Sequence, residues 1–285
     1  DNRLVIDSPE KVQQALTNAY PQIATTLINE FSSDNIDDIG ADNIYSNFLT
    51  RETAYWQPIL EYNNVDGLQN IWDYHYKAIG QANAALDAIE TTLHNDASLN
   101  PAKGEALVAR AYAHFMLAYL WCKPFNPATA ATDLGLPYVD KPETVVFGKY
   151  KRISLEAFYN AIEKDLNEGL PLIDNTKYSK PKFHFTKEAA HAFATRFYLY
   201  KGDWDKVIEH ADVILGSNPQ SKLRNEKVQQ KSLTALQKRE QNSSSAEVSN
   251  LLIAGVLSQY QFRHTSNKYG MTYDLMNNQI INERT

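Results

Sequence analysis

Thr186-Lys-Glu-Ala-Ala-His-Ala-Phe-Ala-Thr-Arg-Phe-Tyr-Leu-Tyr-Lys-Gly-Asp-Trp-Asp-Lys-Val-Ile-Glu-His-Ala-Asp-Val-Ile-Leu-Gly-Ser-Asn-Pro219 decides the fold. Its first half predicts a helix whose inner face carries Ala192, Phe193 and Phe197. Gly202-Asp203 then makes the turn, with Asp203 positioned as an N-cap, because a short acidic side chain accepts from the free amides of a new helix. A second helix is expected to pack Val207, Ile208, Ala211 and Leu215 until Pro219 stops it, and small alanines let the two helices approach closely.

The segment is thirty-four positions long, the period of a tetratricopeptide (TPR) unit. A related pattern lies upstream, where Ala109-Arg110-Ala111-Tyr112 resembles Thr195-Arg196-Phe197-Tyr198. Its return helix is expected over Leu155 to Leu170, so this second copy is split by an insertion. Residues 122–152 hold Pro124, Pro127, Pro137, Pro142, Gly135 and Gly148, which predicts a long loop.

Leu68, Ile71, Trp72, Ile79, Ala82, Leu86 and Ile89 recur at helical spacing. They predict a helix from about Gly67 to Leu93, paired with another from Ala102 to Trp121. Val12 to Phe31 reads as one further helix. Residues 217–249 lack aromatics and end in Asn242-Ser243-Ser244-Ser245, a polar connector, after which Leu251 to Leu257 is expected to resume a buried pattern. The fold class is therefore all-α: a TPR-like scaffold of helix pairs at about 67–121, 105–170 and 186–219, decorated by long loops.

Composition narrows the function classes. An apolar fraction of 43% and a charged fraction of 22% are those of a folded globular chain. The net charge is −6, from 28 basic against 34 acidic residues. That is no footprint for a phosphate backbone, so nucleic acid is not an expected partner. The most apolar helix, Ala106 to Trp121, contains Arg110 and His114, and no stretch has the length of apolar residues that crosses a bilayer. Cys122 stands alone, which excludes an internal disulfide framework and says nothing of the compartment.

Enzyme motifs are missing. Seven histidines include no His-Glu-x-x-His, the eleven glycines form no nucleophile elbow or phosphate-cradling loop, and neither a catalytic residue, a metal nor a cofactor is expected. Asp34, Asn35, Asp37 and Asp38 lack the Gly and terminal Glu of an EF-hand. Acidic pairs such as Asp37 and Asp38, or Asp203 and Asp205, are better explained by turns and caps than by a glycosidase, which needs two opposed carboxylates.

Four segments, taken with the TPR unit, carry a resemblance that covers about Val12 to Leu275. They are Ser33-Asp34-Asn35 with Asp37-Asp38; Ile71-Trp72, Tyr76, Ile79 and Ala82-Asn83; Gly104-Glu105-Ala106 with Arg110-Ala111-Tyr112 and Phe115; and Leu134-Gly135-Leu136-Pro137-Tyr138-Val139. In combination the chain resembles the SusD/RagB family of outer-membrane nutrient-binding lipoproteins. The resemblance implies one SusD-like domain over residues 1–285 and a lipid anchor on an N-terminal Cys as the sole membrane attachment. It further implies a place as a lid on a TonB-dependent SusC-like β-barrel, with the TPR helices facing that barrel. Capture of an oligosaccharide, or in some branches a peptide, is implied by the same likeness. Members carry a leader and the lipidated Cys and extend well beyond the equivalent of Thr285, so the sequence is expected to be a truncated chain.

A sugar site needs flat apolar faces flanked by planar polar groups. Residues 42–64 have that composition, with Asp42, Asn43, Tyr45, Arg51, Tyr55, Trp56, Tyr62 and Asn63 around Pro58. In the resembled family the loop after the Ser-Asp-Asn motif helps form the ligand face. Arg51, Tyr55 and Trp56, joined by Asp42, Asn43 and Tyr62, are therefore the candidate ligand-binding residues. Alternatively, Tyr55 and Trp56 pack on the next helix. A second aromatic cluster, Tyr260, Phe262, His264 and Tyr269, is read as core. The rival function is a TPR adaptor that grips a peptide in its helical groove.

Overall fold

Gly202 adopts the left-handed conformation (φ +79°) that ends one helix, and Asp203 accepts from the Lys206 amide to start the next, so the predicted hairpin turn is present. The computed structural model describes residues 5–40, 48–60, 64–145, 148–224, 233–260, 268–270, 272 and 275. Among them are nine α-helices: α1 Pro9–Thr17, α2 Thr26–Phe31, α3 Phe48–Ala54, α4 Leu68–Asp87, α5 Asn100–Trp121, α6 Leu155–Gly169, α7 Lys187–Lys201, α8 Trp204–Leu215 and α9 Ala235–Asn242. Two short strands, β1 Asp37–Asp38 and β2 Tyr269–Gly270, pair antiparallel with Asp37 opposite Gly270. The fold is thus mostly α-helical. Contacts divide the chain into two compact units, residues 1–20 with 76–254 and residues 21–75 with 255–285.

The first unit is built around α5, whose residues from Ala102 to Ala118 are buried on nearly every face. Burial of that extent needs close neighbours. Gly104 provides one: a Cβ there would lie 2.7 Å from the Gly169 carbonyl oxygen, and a Cβ on Gly169 would lie 2.9 Å from that of Gly104. Glycine on both sides brings α5 and α6 almost backbone to backbone. Phe115, Phe193 and Phe197 fill the space towards α7, with Phe115 and Phe193 centroids 5.6 Å apart.

The buried polar groups around Arg110 are paired, as burial requires. Arg110 donates to Asp165 through Nε (2.6 Å) and Nη2 (2.7 Å), and through Nη1 to Asn83 Oδ1 (2.8 Å) and the Asp140 carbonyl (2.9 Å). Tyr138 donates to Asp165 Oδ2 at 2.5 Å. The Asn83 amide donates to the carbonyls of Val139 and Lys141. His114 Nε2 accepts from the Val139 amide (3.1 Å), which leaves its proton on Nδ1 to donate to the Arg110 carbonyl (3.0 Å). Burial holds His114 neutral, its pKa lowered to about 3. Together these bonds fasten residues 137–141 of the long insertion onto α4, α5 and α6. Elsewhere Glu105, fully buried, accepts from Tyr20 (2.5 Å) and His184 Nδ1 (2.8 Å).

Four expectations are corrected. Val12 to Phe31 forms two helices, α1 and α2, because Pro21 lies between them and its ring fixes φ and removes an amide donor. α8 ends at Gly216 (φ +58°), ahead of Pro219. Ile208 is not packed; it is 59% exposed. The buried residue of α8 is His210, whose Nδ1 lies 2.9 Å from His191 Nδ1 and whose ring stacks on Tyr198. With α7 as its packing partner, α8 covers one face and leaves Ile208 outside. Finally, Leu251 to Leu257 is half-buried to exposed, with Val256 at 46% and Leu257 at 51%. This segment is held by backbone bonds, Ile253 N to the Lys182 carbonyl and Leu257 N to the Gln22 carbonyl, rather than by buried side chains.

Candidate functional site

Within the second unit, α3 presents two chemically different faces. Leu49, Thr50, Glu52 and Thr53 point inward and are buried, whereas Phe48, Arg51 and Tyr55, spaced at i, i+3 and i+7, lie outside. That spacing is one side of a helix. Phe48 is 62% exposed, Tyr55 55% and Trp56 79%. Three large aromatics left mostly in solvent along one short helix are costly to keep, because each forgoes part of the roughly 1.5–3 kcal/mol that full burial would give.

The end of α3 explains how Trp56 is displayed. The Gln57 amide donates to the Glu52 carbonyl (2.8 Å) and the Trp56 amide to that of Thr53 (3.1 Å). Those two bonds are a Schellman motif, whose C′ residue is left-handed and ordinarily glycine. Here it is Trp56, at φ +53°. A bulky residue in that conformation carries roughly 1–2 kcal/mol of strain, so the turn sets the indole outward at a cost in stability. Strain of this kind collects at functional sites.

The shelf is braced from several sides. Tyr55 meets Tyr269 edge to face, 5.6 Å between centroids at 86°. Tyr269 is buried, and burial raises its phenol pKa. β1 and β2 hold that ring in place, aided by the Ile39 amide donating to the Lys268 carbonyl (2.8 Å) and by Lys268 lying 3.3 Å from Asp38. The Asp38 carboxyl is held below its usual range, chiefly by the Gly40 amide. Beneath α3, Glu52 Oε2 accepts from the Leu60 amide (2.8 Å), tying down the chain beyond Pro58. The Arg51 guanidinium lies 5.1 Å from the Phe48 ring centroid, a cation–π distance that aligns a planar donor with an aromatic face.

Of the predicted site residues, Arg51, Tyr55 and Trp56 come together on this shelf. Asp42, Asn43 and Tyr62 lie outside the described residues, as do Phe262 and His264 of the second aromatic cluster. The buried Tyr269 fits the core reading of that cluster. Phe48 was missed by sequence reasoning, although its i, i+3, i+7 relation to Arg51 and Tyr55 was available. Among the described residues, no group of three or more His, Cys, Asp or Glu is placed to hold a metal ion, and no helix is long and apolar enough to cross a membrane. The shelf offers ring faces and a guanidinium: chemistry for stacking and hydrogen bonding.

The sequence matches a family model described as SusD-like, starch-binding associating with outer membrane, over residues 1–199. No curated protein matches the chain. Among solved structures, a SusD-like carbohydrate-binding protein from Bacteroides vulgatus is similar with a TM-score of 0.64 at 19% identity, covering 84% of this chain and 49% of that one. A SusD superfamily protein from Bacteroides thetaiotaomicron gives 0.60 at 23% identity, with 73% and 46% covered. A laminarin-binding SusD-like protein gives 0.53 at 17% identity, with 74% and 44% covered. These likenesses are of fold, and the chain spans about half the length of the structures it matches.

Proposed function

The chain belongs to the SusD-like family of starch-binding, outer-membrane-associated proteins, and on that premise we propose that it is a non-catalytic cell-surface protein that captures a glycan. It would be lipid-anchored in the outer membrane and pass its ligand to a TonB-dependent, SusC-like transporter. Trp56 and Tyr55 stack on the C–H faces of sugar rings, and Arg51 donates to their hydroxyls, with Asp42, Asn43 and Tyr62 as further proposed contacts.

The observation that carries this reading is Trp56, a large aromatic held 79% exposed in a backbone conformation that favours glycine. Packing gives no reason for it, since the indole is in solvent. A flat apolar ligand face gives one: stacking recovers the burial that the shelf forgoes. The carbohydrate-binding and laminarin-binding names of the similar structures support a saccharide as the ligand class.

A glycan array on the wild type, followed by calorimetry of any hit against Trp56→Ala, tests the proposal. The expected result is loss of glycan binding with the helical circular dichroism unchanged. Unchanged affinity removes Trp56 from the site, and a silent array with peptide binding moves the reading to peptide capture.

A further inference from the structure

The turn between α7 and α8 borders a groove of about 570 Å³ in the first unit, inside the range of about 300–1,000 Å³ usual for small-molecule sites. Its lining includes Trp204 at the start of α8, 63% exposed, with Asp205 beside it, and Glu156 and Asn160 from the first turns of α6. Phe125, from the long insertion, is held there by its ring contact with Tyr159 (4.7 Å).

The charges around this groove select the ligand. Two helix starts, those of α6 and α8, border it, and each brings the positive end of a macrodipole that by itself would favour an anion. Each also carries an acid in its first turn, Glu156 and Asp205, which offsets the dipole and repels anions. Among the described residues, the ammonium in the lining is that of Lys201, which is committed to Glu163. What remains among the described residues is an exposed indole and a surplus of hydrogen-bond acceptors. A neutral ligand with many hydroxyl donors and an apolar ring face matches that set; a phosphate or carboxylate does not.

We infer that this groove is a second saccharide-contact site, in which Trp204 stacks on one sugar ring and Asp205, Glu156 and Asn160 take hydrogen bonds from its hydroxyls. The inference rests on the glycan reading for its ligand class, but it uses none of the residues of the α3 shelf. A chain long enough to touch both sites gains avidity through effective concentration.

Nitrogen–proton correlation spectra test it, because each of the four tryptophans gives one indole signal that Trp→Phe variants assign. The protein is titrated with maltoheptaose, laminarihexaose and a mannan oligosaccharide, and separately with trilysine. The expected result is a saturable shift of the Trp204 signal with at least one saccharide, still present in Trp56→Gly and weakened about tenfold by Asn160→Ala, the factor of one lost hydrogen bond of about 1.4 kcal/mol. No Trp204 shift with any of the saccharides, or a shift with trilysine alone, overturns the inference. If the Trp56 signal moves and Trp204 does not, the inference fails while the α3 reading stands; the reverse outcome removes the α3 reading and keeps the groove. If neither moves, both fail.

Discussion

Arg110 and Asp165 meet through two parallel hydrogen bonds, Nε to Oδ2 at 2.6 Å and Nη2 to Oδ1 at 2.7 Å, with both side chains buried between α5 and α6. The same guanidinium reaches the Asp140 carbonyl, so one ion pair joins a helix interface to the loop just beyond the Leu134-Gly135-Leu136-Pro137 segment. Breaking such a pair leaves an uncompensated buried charge. Asp165→Ala or Arg110→Ala is expected to cost about 3–5 kcal/mol, measured by urea denaturation, and the paired change Arg110→Met with Asp165→Leu should recover part of that loss. A single replacement costing less than about 1 kcal/mol, the range of an exposed pair, would contradict the clamp.

His114 and His75 make stability depend on pH. Burial lowers their pKa values to about 3 and about 4, against 6.5 unfolded. Below pH 6.5 the unfolded chain takes up protons that the folded chain refuses, so stability is fully present above 6.5 and declines as pH falls towards those values. Each histidine adds a slope of about 1.4 kcal/mol per pH unit in that window. His114→Gln should remove one proton from the slope between pH 6 and 4 in denaturation curves. A stability that is flat from pH 7 to 4 would contradict the buried neutral imidazoles.

The α5–α6 contact predicts opposite outcomes for two glycines. At Gly104 a methyl would lie 2.7 Å from a backbone oxygen and 2.8 Å from Leu172 Cβ, so Gly104→Ala should cost about 1–3 kcal/mol. At Gly80, exposed inside α4, a Cβ meets nothing within 4 Å. Gly80→Ala should therefore stabilise by about 0.5–1 kcal/mol. Equal thermal shifts for the two would refute the close approach.

Trp56 should be a residue that costs stability. Glycine at its left-handed position releases the strain, and Trp56→Gly is expected to leave the protein as stable or up to about 1 kcal/mol more stable. A clear drop in melting temperature would mean that the indole packs after all.

What the sequence made legible depended on how local each signal is. The α7–α8 turn was readable because Gly202 and Asp203 declare a C-cap and an N-cap within two positions. The long insertion was readable from its prolines, and α6 began within a residue of its expected start. The partners of Arg110 were not, because Asp165 lies 55 positions away and no local pattern links the two. Ile208 has the spacing of a core residue, yet burial depends on what else packs against α8. At Trp56 the usual marker of a helix end, glycine, is replaced by the side chain proposed to stack on the ligand; Pro58, two residues on, was the one local cue to the stop. The site's aromatic composition was visible beforehand, whereas the exposure of Phe48, Tyr55 and Trp56 is a property of the packed unit.

The most direct test titrates the wild type and Trp56→Gly calorimetrically with the saccharide selected on the array, and melts both proteins under the same conditions. Heat of binding is expected for the wild type and none for Trp56→Gly, with a melting temperature for the variant equal to or above that of the wild type. Undiminished binding by a well-folded Trp56→Gly would contradict that expectation.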